Sequence, residues 1–129
     1  MRELHIGLLG KESVTVNDTN TAKSIGSGML DVFATPAMVA LMEKAAAASV
    51  EPCLDDEQGT VGIKVNIEHI SATPVGMNVT AESELIEIDG KKLVFNVTAY
   101  DDKGIIGKGV HERVIINNIR FMEKTYQKI

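Results

Sequence analysis

At 129 residues, 44% of them hydrophobic and 24% charged, the chain reads as one globular domain spanning 1–129 that can bury a core without disulfides. Cys53 is the only cysteine, which excludes a cysteine-built zinc or iron–sulfur centre within one chain, and three scattered histidines without ligand spacing suggest no other metal site. A net charge of −5, 4% aromatics and no tryptophan argue against nucleic acid as a partner, and no apolar run approaches the roughly 18 residues of a membrane span.

The opening decapeptide MRELHIGLLG carries Glu3 and His5 where a signal peptide needs an apolar run, so a cytoplasmic location is expected; the single thiol fits a reducing compartment. Residues 4–9 and 12–17 fit short strands, and Asn17–Asn20 is turn chemistry. A glycine-punctuated lead-in, 26–34, runs into Thr35-Pro36. Thr can cap a helix and Pro suits its first turn, so a helix is predicted over about 36–50, ended by Glu51-Pro52. Met38, Leu41, Met42, Ala45 and Ser49 share its apolar face.

Strands follow. Residues 60–70 alternate, which predicts Val61, Ile63, Val65, Ile67 and His69 on one face and Thr60, Gly62, Lys64, Asn66 and Glu68 on the other. Residues 77–88 and 91–100 flank an Asp89-Gly90 hairpin turn, 105–116 form a last strand, and 117–129 are left as a tail without an assigned element. One long helix against an antiparallel sheet gives an α+β fold.

Three residues suggest chemistry in combination. Taken singly, His69 is a core histidine, Glu43 a solvated helix carboxylate and Thr35 a helix cap. Together, a carboxylate and an imidazole facing one layer can form an acid–base pair, and the open amides at a helix start can stabilise an oxyanion. That set suits acyl transfer or thioester hydrolysis. Glu43 follows Thr35 by eight residues, roughly 12 Å along a helix axis, so either the substrate bridges them or a partner subunit supplies one group. A site at a dimer interface is expected.

The strings VFATPAMVALMEKAA (32–46), GIKVNIEHISATPVG (62–76) and GKGVHERVII (107–116) resemble the fluoroacetyl-CoA thioesterase-like branch of the hot-dog fold, a similarity running from about residue 4 to 118. The resemblance implies one long central helix packed on a five- to six-stranded antiparallel sheet. It also implies an acyl-CoA thioesterase acting as a homodimer or dimer of dimers, without a cofactor beyond the coenzyme A of its substrate. Carried over by motif, Thr35, Glu43 and His69 form the catalytic set. His69 is then the base or proton shuttle, and Glu43 its carboxylate partner or a nucleophile through an anhydride. Thr35 bonds the carbonyl or the attacking group, and Gly62 lies against the acyl group. The aromatic lid of the enzyme that gives the family its name is missing from IGSGMLDVFATP (25–36), where Gly26 and Met29 stand at the lid position and Phe33 is the only aromatic residue. A general short- or medium-chain acyl-CoA is therefore expected rather than fluoroacetyl-CoA. His111 is expected on the strand surface, on the less apolar face with Gly107, Gly109 and Arg113. Lys108 or Arg113 is the candidate contact for the coenzyme A phosphates. A non-catalytic acyl-CoA or acyl-carrier binding protein, and a hydratase or dehydratase, are the competing readings of the same fold.

Overall fold

The computed structural model describes residues 2–129. Five antiparallel strands form one sheet: β1 (Leu9–Thr15), β2 (Gln58–His69), β3 (Asn78–Asp89), β4 (Lys92–Asp101) and β5 (Gly104–Asn117). Their spatial order is β1-β3-β4-β5-β2, so β2 lies at an edge although it precedes three of the others in the chain. Among the described residues three α-helices accompany them, a single turn α1 (Ala22–Ile25), the long α2 (Thr35–Val50) and α3 (Asn118–Tyr126), with a 3-10 turn at Glu51–Cys53 directly after α2. Among the described residues no helix is long and apolar enough to cross a membrane.

The core is the layer between α2 and the sheet. Met38, Leu41, Met42, Ala45, Ala46 and Val50 present one stripe of α2 to Val79, Ala81 and Leu85 of β3 and to Leu93, Phe95, Val97 and Ala99 of β4. The alternation expected for these strands holds in β3 and, apart from the additionally buried Val94, in β4. The two short N-terminal patterns collapse into one strand: Gly7, at φ +94°, breaks the extended run, and β1 starts only at Leu9.

Three sequence expectations need correction. First, Thr35 does not cap α2. Ala34 occupies the cap without a side-chain bond, and Thr35 is the first helical residue, its hydroxyl turned elsewhere. Second, the faces of β2 are not those read from strict alternation. The pairing of β2 with β5 shifts between Gly62 and Lys64, and this bulge reverses the parity. Thr60 and Gly62 thus share the α2-facing side with Val65, Ile67 and His69, and Val61 faces away opposite Val114. Third, the tail left without an assigned element forms a helix, α3. Asn117 caps α3 by accepting a hydrogen bond from the Arg120 amide at 3.0 Å.

The segment between β1 and α2 sets the position of the helix start. Val32 bridges Pro74, and the Phe33 amide donates to the Thr73 carbonyl at 2.9 Å. The head of α2 is thereby tied to the connection that leaves β2, which brings Thr35 beside the last residue of that strand.

Candidate active site

At that junction Thr35 Oγ1 and His69 Nδ1 are 2.7 Å apart, a hydrogen bond across 34 residues of chain. The ring's other nitrogen, Nε2, is buried and has no hydrogen-bond partner. Burial holds the His69 pKa below the usual imidazole value, partly opposed by the neighbouring Ser71 backbone, which does not reach Nε2 in hydrogen-bonding geometry. The ring is therefore neutral at pH 7, with one nitrogen able to take a proton. A cavity of about 290 Å³ adjoins the pair, walled by Ala22, Ser27, Val32 and Phe33. Phe33 is only 2% exposed and belongs to the core as well as to this wall. Met29 is 85% exposed and does not line the cavity of its own protomer.

Glu43, two helical turns along α2, does not reach His69. Its Oε2 lies 3.6 Å from Arg113 Nη1 and 4.0 Å from His111 Nε2, and the side chain is partly exposed. Gly62 makes room for this carboxylate: a Cβ there would stand 2.7 Å from Glu43 Oε2 and 3.2 Å from His111 Cε1. The sequence thus yields two clusters along one helix. Thr35 and His69 meet at its start, and Glu43 and Gly62 meet at its middle. The pairing of Glu43 with His69 expected for one carboxylate and one imidazole is absent within a protomer.

The expectation of a surface His111 is overturned. His111 is 1% exposed and Arg113 8% exposed, both facing α2. The face of β5 that looks less apolar is the inner one, because Gly107 must lie beneath the Met38 side chain and cannot carry a side chain of its own. Arg113 is consequently packed against Thr60, His111 and Glu43, whereas Lys108 is exposed on the opposite face of the sheet beside Glu68 and Glu84. The two cations cannot hold one phosphate group within a protomer. The buried His111–Arg113 pair escaped sequence reasoning; strand parity carried it, but the glycines masked which face was inside. A larger hollow, about 1000 Å³, lies at the far end of α2, but Glu51, Asp55, Asp56 and Glu57 line it and would repel an anionic ligand.

A long helix laid on a five-stranded antiparallel sheet is the architecture of the hot-dog fold. A hot-dog-like protein from Thermanaerovibrio acidaminovorans shares the fold, with a TM-score of 0.88 at 19% identity over 96% of this chain and 92% of that one. A thioesterase superfamily member from Thermus thermophilus matches over the whole of both chains at 25% identity and a TM-score of 0.85. The structure of a fluoroacetyl-CoA thioesterase matches at 31% identity and a TM-score of 0.94, covering 99% of each chain. In sequence, the fluoroacetyl-CoA thioesterase of Streptantibioticus cattleyicolor is 40% identical over 98 residues, 76% of this chain and 70% of that protein. The family model described as fluoroacetyl-CoA-specific thioesterase matches residues 16–119. The chain belongs to the fluoroacetyl-CoA-specific thioesterase family.

Proposed function

We propose that the protein hydrolyses the thioester of a short- or medium-chain acyl-CoA, with Thr35, His69 and Glu43 as its reacting set and with two copies completing each site. Family membership supports the reaction class, and the 2.7 Å Thr35–His69 hydrogen bond carries the assignment of the reacting end. Neutral His69 accepts a proton as water, or a group activated by it, attacks the thioester carbonyl. Thr35 and the first-turn amides of α2, which have no carbonyl partner within the helix, meet the developing oxyanion. The carbon–sulfur bond then breaks, the proton passes to the thiolate, and the products are a carboxylic acid and free coenzyme A. Water and the thioester suffice, so no cofactor is assigned. Gly62 leaves the acyl group a close approach to Glu43 as well as leaving room for that carboxylate.

The separation between the two clusters supports a shared site. Strand β2 is an edge strand with an open backbone, and Ile63 on it is 51% exposed, as suits pairing with a second copy into a dimer or dimer of dimers. Met29 and Phe33 remain the residues assigned to acyl selection, and Lys108 of one copy and Arg113 are assigned no common phosphate. A cytoplasmic setting fits the single free thiol, Cys53.

Thiol release across a panel of acyl-CoAs from acetyl to aromatic, run beside light scattering, tests this reading. Turnover of a short or medium acyl-CoA by a dimer is expected. Tight binding without thiol release turns the reading to a binding protein, and a fully active monomer removes the shared site.

A further inference from the structure

Outside the Thr35–His69 pair, the molecule holds one fully buried imidazole among the described residues. His111 stacks on Phe95 with ring centroids 6.2 Å apart, and each of its nitrogens is engaged. Nδ1 lies 2.9 Å from the Lys64 carbonyl, and Nε2 lies 3.2 Å from Arg113 Nη1. These contacts fix the protons. A guanidinium can only donate, so Nε2 must accept; a carbonyl can only accept, so Nδ1 must carry the proton. His111 is therefore the neutral Nδ1–H tautomer. Arg113 is held on its other side by Thr60: Nε donates to the hydroxyl at 2.8 Å, and Nη2 donates to the carbonyl at 3.0 Å. With Nε and one Nη2 proton engaged by Thr60 and one Nη1 proton by His111, the second Nη1 proton is free on the nitrogen that lies 3.6 Å from Glu43 Oε2. The Lys64 carbonyl that His111 binds stands at the bulge beside Gly62, the residue that leaves space for Glu43.

We propose that His111 is a positioning residue: its neutral ring clamps the β2 bulge to Arg113 and so sets where Arg113 holds the Glu43 carboxylate. This rests on the role given to Glu43 above. Protonating the ring would oppose two donors at Nε2 and Nη1 and release the clamp. The charged groups that face the ring are Arg113 and Glu112 on β5 and Glu43 on α2. Burial and Arg113 keep it neutral, against the opposing pull of the Lys64 carbonyl, Glu43 and Glu112.

The test compares His111→Phe, His111→Gln and Glu43→Gln, singly and with His111→Phe/Glu43→Gln, on an acyl-CoA that the wild type hydrolyses. His111→Phe keeps the stacking on Phe95 and should lower kcat roughly tenfold or more with KM changed little, the size expected for losing a hydrogen bond to a charged group. His111→Gln, which retains a donor and an acceptor, should recover most of that loss. The double variant should be no slower than Glu43→Gln alone, because His111 acts through Glu43. Additive losses, or a His111→Phe enzyme with wild-type kcat while Glu43→Gln is inactive, overturn the proposal alone. A fully active Glu43→Gln overturns both it and the role of Glu43. Should His111→Phe fail to fold, the wild type decides: nitrogen-15 spectra must show His111 as the neutral Nδ1–H tautomer at pH 7, and an imidazolium or an Nε2–H tautomer refutes the clamp.

Discussion

The two ends of the site use the same side chain in opposite ways. His69 at the head of α2 is a half-buried imidazole and His111 beneath its middle a fully buried one, and burial lowers the pKa of both. His69 has one hydrogen bond, to Thr35, and a nitrogen without a partner. His111 has both nitrogens occupied, by Lys64 and Arg113. The first ring has capacity left to move a proton, and the second has none. Burial alone therefore does not mark a reacting histidine; an unfilled valence beside a cavity does.

That contrast can be broken most directly at its reactive end. His69→Ala and Glu43→Ala are each expected to lose roughly two to four orders of magnitude in kcat, the range for removing a general acid–base group, while the assembly seen by light scattering survives. A smaller effect is expected at Gly62→Ala. Its new Cβ would crowd Glu43 Oε2, the mobile end of a partly exposed side chain, and stand 3.2 Å from His111 Cε1 and 3.3 Å from Arg113 Nη1, so the carboxylate shifts most and the two buried groups only slightly. Turnover should fall about tenfold, with a melting temperature close to wild type; an unchanged kcat would show that the Glu43 position is immaterial. The smallest effect is on stability against pH. Both histidines have folded-state pKa values below the unfolded value of about 6.5, so the unfolded chain binds more protons just below that pH. Their contribution is complete above about pH 6.5 and is lost as pH falls through the folded values. Melting temperature should decline on acidification below 6.5, and less so in His111→Gln; equal slopes would show that His111 does not titrate on unfolding.

Much of this architecture is legible in the residues. Thr35-Pro36 announces α2, Asp89-Gly90 announces the β3–β4 turn, and the inward Leu93, Phe95, Val97 and Ala99 mark the core face of β4. Thr35, Glu43 and His69 stand out in combination and Gly62 only through the family resemblance, and the structure brings Thr35 to His69 and Gly62 to Glu43. The rest depended on one extra residue. In TVGIKVNIEHI the alternation runs on unbroken to the eye, yet the bulge after Gly62 moves Thr60 and Gly62 to the inner face. A bulge is a property of pairing with β5, which the sequence of β2 does not contain. The same holds for His111 and Arg113. They sit on an inner face whose glycines answer to the closeness of α2 and β2, so a hydrophobicity pattern points to the wrong side. α3 was readable only at its Asn117 cap, because all its residues remain exposed and no buried stripe marks it.

The central claim is that the Thr35–His69 pair performs the hydrolysis. Thiol release by His69→Ala, measured on the acyl-CoA that the wild type turns over fastest, tests it most directly. A kcat lower by roughly a hundredfold or more, in a variant with the assembly and melting temperature of the wild type, is the predicted result. A folded His69→Ala enzyme with kcat within about twofold of wild type would contradict it.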